Sequence, residues 1–146
     1  MAKEENKEFG IIRVYVQDVS FESPHAPEVF REDWQPELKL DLQHTSKKLA
    51  QDGSYHVSLK VTAAVEKDGK SIFLAEVEQA GIFGIVGFSE DEVKQLLSSY
   101  CLSVLFPYAR EVVTDLSVRG GFPPLYLAPV NFEGSQVEDE PQQKVS

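Results

Sequence analysis

The sequence predicts an α+β fold, an antiparallel sheet of consecutive strands followed by a helix. Three observations carry this. Four segments before Gly84 alternate apolar and polar side chains with period two, the signature of half-buried strands. The last two are joined by Lys67-Asp68-Gly69-Lys70, whose Asp-Gly pair suits a type I′ hairpin turn between antiparallel strands. Beyond Ser89 the apolar spacing lengthens to that of a helix, and strands followed by a helix indicate α+β.

The elements follow in order. Residues Met1 to Glu8 are charged and polar and read as a disordered arm, so order is expected from Phe9. Between Ile11 and Phe21, Ile12, Val14 and Val16 alternate with Arg13, Tyr15 and Gln17, a first strand. Pro24 and Pro27 end it by removing backbone donors. The stretch from Glu28 to Pro36 is a loop carrying Val29, Phe30 and Trp34, large side chains that must be buried or must bury something else. Leu38, Leu40 and Leu42 alternate with Lys39, Asp41 and Gln43 in a second strand. Asp52-Gly53 turns the chain into a third, about Tyr55 to Val65. The fourth, about Ser71 to Phe83, points Phe73, Ala75 and Val77 one way and Ile72, Leu74, Glu76 and Glu78 the other.

Gly81, Gly84 and Gly87 are expected to loosen the chain ahead of the helix. Ser89 and Glu92 form a capping box, with early acidic residues that suit the helix dipole. Val93, Leu96, Leu97 and Tyr100 give its apolar face; Pro107 is expected to kink or restart it, and Ala109, Val112, Val113 and Leu116 continue it. Gly120-Gly121 ends it. Phe122 to Phe132 is apolar, Pro-rich and expected to be extended, and 133–146 reads as a flexible tail. The chain is thus one domain over 9–132 between an arm (1–8) and a tail (133–146).

Composition narrows the function. A net charge of −10 argues against nucleic-acid binding, which needs an excess of Lys and Arg, and favours basic partners. No apolar run is long enough to span a membrane, and the first eight residues lack the apolar middle of a signal peptide. With the single cysteine, Cys101, these features point to a reducing cytosol.

No catalytic constellation emerges. His25, His44 and His56 are isolated from partners at metal-ligand spacing, so no metal or other cofactor is expected. Cys101 has aliphatic and aromatic neighbours and reads as an inert buried thiol. The run Gly81-Ile82-Phe83-Gly84-Ile85-Val86-Gly87 matches neither a P-loop nor a dinucleotide fingerprint. A binding protein fits better than an enzyme, and a small α+β enzyme is the weakest alternative.

Specific runs go further than composition. Val19-Ser20-Phe21-Glu22-Ser23-Pro24, Asp33-Trp34-Gln35-Pro36-Glu37, Gly81-Ile82-Phe83, Leu105-Phe106-Pro107-Tyr108-Ala109-Arg110-Glu111 and Leu127-Ala128-Pro129-Val130-Asn131-Phe132 stand in series. In these runs, in order and spacing, the chain resembles the SecB family of bacterial protein-export chaperones over about Ile11 to Phe132. The resemblance implies a four-stranded antiparallel sheet with a long kinked helix on one face. It implies a cytoplasmic homotetramer, a dimer of dimers, that holds unfolded precursor polypeptides without ATP and delivers them to the motor SecA.

The resemblance also assigns residues. Phe30 and Trp34 become walls, and Leu38, Leu40 and Leu42 the floor, of a groove for unfolded clients, although alternating leucines equally suit a plain core. Asp18, Glu22, Leu74 and Glu76 become a SecA-docking patch facing a basic, zinc-bearing tail; even spacing puts Asp18 with Glu22 and Leu74 with Glu76 on shared strand faces. Ala75, Val77 and Gln79 become a subunit contact. The carboxyl end departs from the pattern: Glu133-Gly134-Ser135-Gln136-Val137 lacks the apolar periodicity of the helix that borders the groove in many members. A SecB-like chaperone for another client, such as a toxin–antitoxin pair, would share the fold; the acidic patch favours export.

Overall fold

The computed structural model describes residues 6–133 and the backbone of Gln143 and Lys144; most of the expected arm and tail lie outside the described residues. Four long strands, β1 (Glu8–Glu22), β2 (Glu37–Lys48), β3 (Ser54–Lys67) and β4 (Lys70–Val86), form one antiparallel sheet. The spatial order is β1-β4-β3-β2, and a two-residue strand β5 (Gln143–Lys144) pairs with Glu37 and Leu38 on the outer edge of β2. Helical structure then runs from Glu90 to Arg119 as α1 (Glu90–Gln95), a π-helical turn at Leu96–Tyr100, and α2 (Cys101–Arg119). The fold is α+β with the helix on one sheet face.

Local chemistry explains the joints. Asp68 and Gly69 both adopt positive φ, 53° and 76°, as the type I′ turn between β3 and β4 requires. Ser89 accepts from the Glu92 amide while the Glu92 carboxylate accepts from the Ser89 amide, which satisfies two donors at the start of α1.

The core forms where α2 crosses β3 and β4. Strand parity decides what is enclosed: Val57, Leu59, Val61, Ala63 and Val65 of β3 and Phe73, Ala75, Val77 and Phe83 of β4 meet Leu102, Leu105, Ala109 and Val113 of α2. Even-numbered residues of β3 and β4 face away from the helix, onto a side of the sheet that no described element covers.

Several expectations change. Gly81 and Gly84 lie inside β4, which runs on to Val86, and do not loosen the chain before the helix. A Cβ at Gly81 would stand 3.2 Å from Leu105 and 3.0 Å from the Arg13 carbonyl, so the glycine lets α2 and β1 approach β4. Pro107 lies within an unbroken α2, and the helix is interrupted earlier, at the π-helical turn. Ile72 is buried despite its parity, because the β3–β4 register slips between Val65 and Glu66. In β1 two slips, at Ile12 and Gln17, break the simple alternation; Ile12 is 59% exposed, and Val16 stays half exposed because it sits on the sheet edge.

Candidate functional site

Two surfaces gather the residues singled out by sequence. The first is an aromatic cavity beside the crossover between β1 and β2. Glu28–Arg31 form a 3-10 turn, with the Val29 amide donating to the His25 carbonyl at 2.9 Å. The loop is tied to the β3–β4 hairpin at two points: Lys70 pairs with Glu32 at 3.3 Å, and the Lys67 ammonium donates to the Asp33 carbonyl at 2.8 Å. The opposite wall comes from the chain that leaves α2. Gly121, at φ +90°, turns it back, and the Phe122 amide donates to the Ser117 carbonyl at 2.9 Å.

Between these walls lies a cavity of about 160 Å³, lined by Val29, Phe30, Glu32, Trp34, Gly121, Phe122 and Pro123. Its rings form a column. Phe30 and Trp34 lie 5.1 and 6.0 Å from Phe122, which lies 4.9 Å from Phe73, itself 5.4 Å from Phe21 on β1. Phe30 remains 48% exposed, and Trp34 is half-buried. Among the described residues the Trp34 indole Nε1 is buried with no hydrogen-bond partner. A larger, open depression of about 530 Å³ runs along α2 beside Glu111, Val112, Thr114, Asp115 and Val118.

Leu38, Leu40 and Leu42 do not join this cavity as a floor. They are 1, 6 and 0% exposed and belong to the core, because even-numbered residues of β2 face the helix side of the sheet. Ala75, Val77 and Gln79 are likewise enclosed by their own chain, beneath α2. Ala75 and Val77 are 0% and Gln79 2% exposed, so these side chains do not themselves present a surface to a second subunit. Sequence reasoning missed Phe122, the base of the cavity; its signal was an aromatic residue directly after Gly120-Gly121.

The second surface is the uncovered sheet face at the far end of β1. Antiparallel register sets Glu22 opposite Leu74, Ser20 opposite Glu76, and Asp18 opposite Glu78. Asp18, Glu22, Leu74 and Glu76 therefore share one face on neighbouring strands, joined by Glu78, whose matching parity with Glu76 was legible but unused. Thr62 donates to Glu76 at 3.3 Å and Ser58 to Glu78 at 2.7 Å, which orients both carboxylates. Leu74 supplies an apolar spot within this negative field.

Nothing in either surface resembles a reaction centre. Among the described residues no three His, Cys, Asp or Glu side chains converge as metal ligands, and no helix is long and apolar enough to cross a membrane. Burial pushes the Cys101 thiol up to about 12, far from a reactive thiolate.

Comparison with known proteins agrees with this architecture. Residues 2–143 match the family described as Preprotein translocase subunit SecB. A protein-export protein SecB of Hydrogenovibrio crunogenus is 54% identical over 133 residues, which cover 90% of this chain and 89% of that protein. The fold is similar to that of the Mycobacterium tuberculosis SecB-like chaperone Rv1957, solved with a ChAD peptide from the HigA1 antitoxin. The TM-score is 0.71 at 21% identity, covering 84% of this chain and 90% of that one. With a family match over nearly the whole length and a relative 54% identical, the chain belongs to the SecB family of preprotein translocase subunits.

Proposed function

We propose that the chain is an ATP-independent holdase that keeps precursor proteins unfolded and export-competent and delivers them to the SecA motor. The observation that carries this is the open cavity at Phe30 and Trp34, where exposed ring surface is presented on a loop tied twice to the β3–β4 hairpin. An unfolded client offers what the cavity lacks, an apolar side chain to fill it. Seating one such side chain is worth on the order of 1.5–3 kcal/mol. Several such anchors repeated across a cytoplasmic homotetramer, a dimer of dimers, would hold a long client by avidity.

Delivery is assigned to Asp18, Glu22, Leu74 and Glu76. Their carboxylates attract a basic partner surface, speed encounter, and weaken with salt. D18K/E76K is expected to abolish SecA binding while suppression of client aggregation, without nucleotide, persists. A calorimetric titration with unchanged SecA affinity would defeat the docking assignment; loss of aggregation suppression would show that the two surfaces are not separate. A SecB-like chaperone serving a toxin–antitoxin client is the second reading, favoured by the fold shared with Rv1957. A SecA pull-down separates the two.

A further inference from the structure

The uncovered sheet face is not uniformly acidic. Antiparallel register aligns Lys47, His56, Ile82 and Arg13 in one row across all four strands. The slip at Ile12 puts a second apolar side chain on the same side, because Ile12 Cδ1 lies 3.6 Å from where a Cβ on Gly84 would stand. The result is an apolar platform of Ile12 and Ile82, with Ile12 largely exposed, flanked by Arg13 and Lys47. His56 is held there by the Tyr15 hydroxyl, 2.8 Å from its Nε2. Among the described residues neither Arg13 nor Lys47 has a carboxylate within ion-pair distance, whereas Lys39, further along the same face, is paired with Glu66 at 3.2 Å.

We propose that this cationic, apolar end is a second docking subsite. It takes a short acidic and apolar segment of the same partner polypeptide whose basic segment sits on the carboxylates, and so fixes the direction in which the partner lies. The proposal rests on the carboxylate end being a docking surface. The next row, Thr45, Ser58, Ala80 and Tyr15, is neutral. The row after it, Gln43, Lys60, Glu78 and Asp18, starts the carboxylates, with Lys60 facing Glu78. At about 3.4 Å per residue, four positions along β4 separate the Arg13 row from the Asp18 row by about 14 Å, and eight separate it from the Glu22 row by about 27 Å.

Charge complementarity selects the occupant. A nucleic acid or an anionic membrane would be attracted at Arg13 and Lys47 and repelled at Asp18, Glu22, Glu76 and Glu78. A uniformly basic peptide meets the reverse. An extended polypeptide with an acidic, apolar block four to eight residues from a basic block satisfies both ends. The separation exceeds the Debye length of about 8 Å at physiological ionic strength, so the two ends contribute independently.

The test uses fluorescence anisotropy with two labelled peptides, a Lys/Arg–Ala block alone and the same block joined through six residues to a Glu–Leu block. The two-block peptide is expected to bind the full chain about fivefold more tightly at physiological ionic strength, the yield of two or three exposed charge contacts. R13E/K47E should erase that gain and leave the basic-block affinity in place. R13Q/K47Q, which removes the two charges without reversing them, should erase most of it, with both variants matching the parent in circular dichroism and thermal melting. A gain that survives R13E/K47E overturns the proposal while leaving the carboxylate reading intact. Basic-block binding unchanged by D18K/E76K overturns the carboxylate reading, and with it this one. Binding to phosphatidylserine vesicles that R13E/K47E abolishes would overturn the peptide assignment in favour of a membrane surface.

Discussion

Replacing Gly120 by alanine tests whether the aromatic column is as tightly packed as its distances imply. Gly120 closes α2 with an ordinary helical φ of −78°, so alanine meets no backbone penalty there. Its Cβ, however, would stand 2.8 Å from Cε2 of Phe21, well inside contact distance. The ring must move, and moving it opens the 5.4 Å contact with Phe73. Overpacking of this kind costs about 1–3 kcal/mol, and loss of the aromatic pair adds about 0.5–1.5 kcal/mol. Alanine restores about 0.4–1 kcal/mol by restricting the unfolded chain. The net expectation is a loss of about 2 kcal/mol, or roughly 6–10 °C in Tm for a domain of this size. Urea and thermal unfolding of G120A, F21A and the double variant form the assay. Without the ring, G120A should become neutral or stabilising. An equal cost of G120A in both backgrounds would refute the reasoning, because the obstacle would then not be Phe21.

Three further outcomes follow from the same geometry. F30A removes a ring that is already half exposed, so it should cost about 1–2 kcal/mol of stability yet weaken suppression of client aggregation about tenfold; light scattering that shows full protection excludes Phe30 from client binding. S89A should cost about 1 kcal/mol through the lost cap. Separately, the Ser89 backbone amide, with Lys7, holds the Glu92 carboxyl below its ordinary 4.5, so the stability that the Glu92 carboxylate adds is complete above that value and is lost as pH falls through the lowered one; E92Q should flatten that part of an acid titration followed by helical circular dichroism. Cys101 is fully buried with its thiol pushed up to about 12, so Ellman's reagent should label it at about pH 8 only as fast as the protein unfolds.

Most of the sheet was legible because period two is a local signal. Asp68-Gly69 and Ser89/Glu92 were legible for the same reason, since each turn or cap is specified within four residues. What local pattern could not supply was register. Parity placed Asp18 with Glu22 and Leu74 with Glu76, but only the pairing of Glu22 with Leu74 joined the two sets and drew in Glu78. The leucines of β2 were ambiguous for a related reason: alternation shows that one face is apolar and does not say whether a helix or a client covers it. Here α2 and the chain after it cover that face. The bulge at Ile12 left no mark in the pattern, because inserting one residue into an alternating run still reads as alternation on either side. Trp34 and Phe122 lie far apart in sequence, and no periodicity links them.

The π-helical turn at Leu96–Tyr100 has a consequence for the helix as a whole. In an uninterrupted α-helix, at about 100° per residue, Val93 and Leu97 would point about 180° and 140° away from Leu102, toward solvent. One surplus residue in the wide turn rewinds the leading segment by about 100°, so that both swing back toward the side that Leu102, Leu105, Ala109 and Val113 present to the sheet. The turn works as a phase corrector: two stretches whose greasy stripes are out of step in sequence become one continuous keel. Deleting Ser98 or Ser99 would straighten the rod and throw its first two turns off the sheet.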